Sequence, residues 1–160
     1  MRETLFNWLR VEVMGAKCLD LFAGTGILGF EAISRGAESV ISVERDKTSL
    51  QAIDDNAKVI GAVNLEVIHA DAMNYLCHWP SRPNNIVFVD PPFSTNMHQR
   101  VCQLLEDHEW LASQALIYLE KRARNPMVVV PDNWESLHSI RMGQVECCLY
   151  RRILITGDRD

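Results

Sequence analysis

Short apolar runs alternate with amphipathic stretches along almost the whole chain, and that alternation leaves few folds open. Lys17-Cys-Leu-Asp-Leu-Phe22, Ser39-Val-Ile-Ser-Val43, Asn64-Leu-Glu-Val-Ile-His69, Ile86-Val-Phe-Val89 and Ala115-Leu-Ile-Tyr-Leu119 read as strands. Between them, residues 27–34, 47–60, 72–77 and 96–106 read as helices, and residues 2–10 form another ahead of the first strand. Gly36 and Gly61 are natural stops for two of these helices. Ile86-Val-Phe-Val89 is apolar throughout, as a central parallel strand covered on both faces must be. Residues 137–142 and 144–155 read as two strands meeting at Gly143, a hairpin that closes the sheet edge. Five strand–helix steps and a terminal hairpin predict an α/β sandwich in one domain over residues 1–160, mostly parallel with one antiparallel strand. Sheets of this kind bind ligands at the carboxyl ends of their strands.

The chain has no apolar run of the roughly 18 residues that a membrane span needs, and no signal peptide opens it. We therefore expect a soluble, cytoplasmic protein without a membrane partner. Its five cysteines are an odd set without C-x-x-C spacing, so reduced thiols are expected, with Cys77, Cys102, Cys147 and Cys148 packed in the interior. The five histidines are scattered, and no metal is expected. A net charge of −5 counts against nucleic acid, whose phosphates favour a basic footprint, although a local basic patch can still serve.

Gly24-Thr-Gly26-Ile-Leu-Gly29 fits the G-x-G-x-x-G dinucleotide fingerprint between a strand and a helix, with Glu44 twenty residues after Gly24. NAD and S-adenosylmethionine both carry an adenosine, so these features alone admit a nicotinamide oxidoreductase as readily as a methyltransferase. Three carboxylates separate the two. Asp20, inside the first strand, suits a ligand's ammonium group better than a pyrophosphate. Asp71, after the third strand, can accept from an adenine amino group. Asp90, opening Asp90-Pro-Pro-Phe93 after the fourth strand, has no task in hydride transfer. Plain alternatives stand beside these readings: Asp20 as a brace of the glycine loop, Asp71 as a helix cap, and Glu44, twenty residues after Gly24, as a solvated turn residue. Their arrival at successive strand ends favours S-adenosylmethionine.

The Asp90-Pro-Pro-Phe93 loop specifies the acceptor. An exocyclic amine on a base is a poor nucleophile because its lone pair is delocalised into the ring. Acceptors that hold both amine protons favour pyramidal nitrogen, and they strengthen as positive charge develops. Asp90 supplies one acceptor and the Pro91 carbonyl a second. Consecutive prolines at Pro91 and Pro92 stiffen the loop, and Phe93 offers a face for an unstacked base. The alternative is a rigid turn with Phe93 packed in the core.

With these residues in place the chain resembles the bacterial 16S rRNA guanine-N2 methyltransferases, a class I S-adenosylmethionine-dependent family. The likeness runs through Arg2-Glu-Thr-Leu-Phe-Asn-Trp-Leu9, Leu19-Asp-Leu-Phe-Ala-Gly-Thr-Gly-Ile-Leu-Gly29, Glu31-Ala-Ile-Ser-Arg-Gly-Ala37, Val43-Glu44, Asp71-Ala72 and Asp90-Pro-Pro-Phe93. It implies a three-layer Rossmann-like methyltransferase fold with a seven-stranded sheet, and S-adenosylmethionine as donor, leaving S-adenosylhomocysteine. It places Asp20, Gly24 and Gly26 at the methionine moiety, Glu44 at the ribose, and Asp71 and Ala72 at the adenine. Phe22, Arg45 and Asp90 complete the expected cofactor contacts, and Asp90, Pro91, Pro92 and Phe93 hold the target base. The implied partner is 16S rRNA or the small-subunit ribosomal particle, met by a monomer. Adenine-N6 or protein-glutamine methylation would use the same acceptor loop, and a non-catalytic RNA-assembly module would keep the fold. Members of this family usually carry a basic segment before the Arg-Glu-Thr-Leu-Phe-Asn helix, where this chain begins. Lys121, Arg122 and Arg124 are then the remaining basic candidates on the rim, unless they form an ordinary solvated loop.

Overall fold

The computed structural model describes residues 1–92 and 96–154. Its elements run α1 (Arg2–Trp8), β1 (Lys17–Asp20), α2 (Ile27–Ser34), β2 (Ser39–Glu44), α3 (Lys47–Ile60), β3 (Leu65–His69), α4 (Ala72–Leu76) and β4 (Asn84–Val89). These are followed by α5 (His98–Asp107), β5 (Leu111–Arg122), β6 (Trp134–Met142) and β7 (Val145–Arg152). The seven strands form one sheet in the order β3-β2-β1-β4-β5-β7-β6. Six run in the same direction; β7 is antiparallel to both β5 and β6, which makes it the single reversed strand expected from the hairpin.

Each central strand serves two cores, as a period of two requires. Leu19, Val87, Val89, Ile117 and Leu119 face one side, where they pack with Leu76 of α4 and with Val101, Cys102 and Leu105 of α5. Cys18, Ile86, Phe88, Leu116 and Tyr118 face the other, against Leu5 and Phe6 of α1 and Ala32 of α2. Gly29 permits the close seating of α2. A Cβ there would come within 3.0 Å of the Ser42 Oγ and 3.1 Å of Val40 Cγ1.

Several elements differ from their predicted extents. The antiparallel partner sets the length of β5: Lys121 and Arg122 pair with Glu146 and Val145, well beyond the apolar run that signals the strand. At its other end a bulge between Asn84 and Ile86 of β4 lets β5 start at Leu111. β6 starts at Trp134 because the buried Trp134 indole donates to Glu106 Oε2 (3.0 Å). The same carboxylate accepts from Asn133 and holds Arg152 at 2.8 Å, tying both hairpin strands to α5. No helix follows β5, since residues 123–133 cross to β6 without one, so the strand–helix steps number four rather than five. Cys18, Cys102 and Cys147 are buried, but Cys77 is exposed beyond α4 and Cys148 is only partly covered, contrary to expectation. No helix among the described residues is long and apolar enough to cross a membrane.

Candidate active site

The strand order reverses between β1 and β4, which leaves a crevice above their carboxyl ends. A cavity of about 520 Å³ occupies it. Asp20, Phe22, Gly24, Glu44, Arg45, Asp71, Ala72, Asp90, Pro91 and Pro92, all expected in the site, line this one space. Gly26 does not. It starts α2 at φ 80°, and a Cβ there would meet Ile53 and Phe30 at 3.0 Å, so its task is the turn that brings the loop to the cavity. Phe93 lies outside the described residues.

Asp20 is 1% exposed; the Phe22 amide faces its carboxyl, but neither oxygen has a partner at full hydrogen-bond geometry among the described residues. Burial, and then the nearby Asp90 charge, push its pKa up to about 7. The expected alternative for it, a brace of the glycine loop, falls instead to Glu44. Glu44 Oε2 accepts from the Gly24 amide (2.7 Å) and Oε1 from the Asp46 amide (2.8 Å). A carboxylate offers about four lone-pair directions, so each oxygen keeps acceptor capacity for a hydroxyl. Asp71 likewise has a structural role: its Oδ1 accepts from the Asn74 amide (3.1 Å) and caps α4, while its other oxygen makes no such bond.

On the facing wall, β4 runs into Asp90 and then into Pro91, which is buried, and Pro92, which is exposed. Asp90 is partly buried, and burial followed by the Glu120 charge raises its pKa to about 7. The lining of the cavity therefore holds five carboxyl side chains (Asp20, Glu44, Asp71, Asp90, Glu120) and one guanidinium, Arg45. So acidic a cavity disfavours a pyrophosphate and suits a cationic ligand.

A family profile described as "conserved hypothetical protein 95" matches residues 1–151. The ribosomal RNA small subunit methyltransferase D of Escherichia coli K12 is 45% identical over 95% of this chain and 76% of its own length. The chain belongs to the ribosomal RNA small subunit methyltransferase D family. The Haemophilus influenzae member is 38% identical, over 94% of this chain and 79% of its own length. Among solved structures, a chain from Escherichia coli described as a methyltransferase superposes with a TM-score of 0.92 at 43% identity, covering 95% of this chain and 84% of its own. A methylase of Haemophilus influenzae gives 0.87 at 37% identity over 96% of both. The Rossmann-like methyltransferase fold expected from the sequence is the fold of this chain.

Sequence reasoning missed several cavity residues of this methyltransferase D family member. Met97 and Ala70 are lining residues without a chemical signature. Glu120 is the consequential omission. It ends the apolar run of β5 and looks like any strand-terminal charge, and its place in the cavity follows only from the pairing of β5 with β4. Lys121, by contrast, is not available as a rim cation. It is 7% exposed, pairs with Glu146 at 2.7 Å, and donates to the Asn125 carbonyl. Arg124 is exposed.

Proposed function

We propose that this protein transfers a methyl group from S-adenosylmethionine to the N2 amine of a guanine in 16S ribosomal RNA. The observation that carries the reading is the buried, unpartnered Asp20 carboxyl in a cavity whose other wall is Asp90-Pro91-Pro92. A carboxyl with no partner invites an ammonium group, and a stiff acceptor loop invites an amine. The donor supplies a methyl group on a cationic sulfonium, and the other contacts come from this chain. Asp20 takes the α-ammonium, Glu44 the ribose hydroxyls, and the free oxygen of Asp71, beside Ala72, the adenine amine. Gly24, Phe22 and Arg45 line the same path.

Asp90 and the Pro91 carbonyl accept the two amine protons of the base and turn the nitrogen lone pair toward the methyl group. As the N–C bond forms, the C–S pair returns to sulfur and positive charge grows on the amine. Asp90 stabilises that charge and takes the proton the amine must lose. A group titrating near 7 can both accept and return a proton at neutral pH. Phe93, outside the described residues, is assigned base stacking by the sequence resemblance alone. The guanine N2 specificity rests on the sequence resemblance, and the ribosomal substrate also on the similarity to ribosomal RNA small subunit methyltransferases D.

The test is tritium transfer from labelled S-adenosylmethionine to small ribosomal subunits from cells lacking the modification, with nucleoside analysis of the product. N2-methylguanosine is expected. Calorimetry with S-adenosylhomocysteine and NAD should show binding of the first alone, and tight NAD binding with no response to the other would overturn the reading.

A further inference from the structure

We propose that Glu120 selects guanine by accepting its N1–H while Asp90 accepts from the neighbouring N2 amine. The inference rests on the guanine reading above and names the residue that makes the choice of base.

Val89 of β4 pairs in register with Leu119 of β5, so Asp90 and Glu120 follow at the same level on adjacent parallel strands. Such strands lie about 4.8 Å apart. Residues in register project to the same side of a sheet, and both carboxyl groups line the one cavity. Guanine is the base whose ring N–H and exocyclic amine stand side by side on one edge. Adenine presents a bare ring nitrogen beside its amine, and cytosine does the same. Two carboxylates side by side therefore match guanine and place a lone pair against a lone pair for the others, which is discrimination by repulsion as well as attraction.

Glu120 is held for such a task rather than left in solvent. The Tyr118 hydroxyl donates to its Oε2 at 2.9 Å. That phenol also lies 3.0 Å from Cys147 Sγ. The phenol has one proton, for which the Glu120 carboxylate and the Cys147 sulfur are the two acceptors, and the carboxylate is the stronger of them. Burial drives the Tyr118 pKa far upward, so it remains a donor at any working pH. The backbone is fixed as well, since the His98 Nε2 lies 2.7 Å from the Glu120 carbonyl. Oε1 keeps no partner among the described residues and is the atom left for the base. Strand ends, an ordered hydroxyl and a helix start together fix the direction of one carboxylate.

The experiment replaces the methylated guanine with 2-aminopurine, which keeps the N2 amine but has an unprotonated N1. The wild-type reaction first maps the guanine by mass spectrometry, and ligated 16S RNA carrying the analogue is assembled into small subunits. Wild-type protein should prefer guanine by at least ~100-fold in kcat/KM. Glu120→Gln retains an oxygen for Tyr118 and gains an N–H for the bare N1, so the preference should fall to within ~10-fold of unity. Comparing variant with wild type cancels the intrinsic reactivity of the two amines. A wild-type ratio near one, or an unchanged ratio in Glu120→Gln, would overturn the inference while leaving guanine methylation standing. Absence of N2-methylguanosine in the wild-type reaction would remove the functional reading itself. Should Glu120→Gln lose the donor through misfolding, Tyr118→Phe gives the same readout. It loosens the carboxylate without removing it, and the preference should narrow several-fold; no narrowing would overturn the inference.

Discussion

The cavity has two halves built on different principles. On the proposed donor side, Asp20, Gly24, Glu44 and Asp71 each end or follow a strand, and the Glu44 and Asp71 carboxylates are fixed by backbone amides. Glu44 accepts from Gly24 and Asp46, and Asp71 from Asn74. On the acceptor side, Asp90 and Glu120 depend on the register of β4 with β5, and β5 depends in turn on β7. The first half is held by backbone amides that follow β1, β2 and β3, whereas the second inherits its geometry from the register of the other half of the sheet.

The sharpest way to break the comparison is Asp90→Ala. We expect methyl transfer to fall by ~10²–10⁴-fold while S-adenosylmethionine affinity, read by calorimetry, stays within a few-fold. Loss of both together would mean that the halves are not separable. Asp20→Asn should act in reverse, weakening the donor by ~10–100-fold through loss of a charge-assisted bond.

Asp20 also fixes a pH dependence. Its pKa rises from 3.8 to about 7 on folding, so between those values the folded, ligand-free protein keeps a proton that the unfolded chain has lost. Stability therefore falls as pH climbs through that window, and the penalty is complete above about 7. Thermal denaturation at pH 8 should show Asp20→Asn more stable than wild type without ligand. A lower melting temperature for the variant would contradict this assignment. An ammonium ligand holds Asp20 ionised, so donor affinity should increase with pH up to about 7, with proton release visible as a buffer-dependent calorimetric heat. A flat affinity between pH 5 and 8 would remove Asp20 from the ammonium site. The smallest effect expected is that of Asp71→Ala, which should cost ~1 kcal/mol of stability through the lost cap and lower affinity modestly. An unchanged melting temperature would show that the cap adds nothing.

The same division explains what the sequence disclosed. Apolar periodicity located every strand and helix, and the glycine loop, Asp20, Glu44, Asp71 and Asp90 are legible because turn chemistry is local. Glu120 was illegible because a carboxylate after Ala115-Leu-Ile-Tyr-Leu119 gains meaning only beside Asp90. Lys121 misled for the matching reason: its partner Glu146 lies on β7, and no local signal joins them. The loop-brace role that the sequence allowed to Asp20 belongs to Glu44, since spacing cannot show which carboxylate reaches the Gly24 amide. The lengths of β5 and β6 were set by a hairpin partner and by the Glu106 cluster, neither of which periodicity reports.

The position of β7 in the chain has a consequence for biogenesis. A ribosome releases the donor loops early, with Asp71 in the first half of the chain, while Val145–Arg152 emerges among the last residues described. Until that strand inserts between β5 and β6, Lys121 lacks Glu146 and the Tyr118 phenol lacks Cys147. The order of synthesis thus lays down the turns at Gly24, Glu44 and Asp71 before the partners that orient Glu120 exist, so that wall of the cavity is the last to be completed.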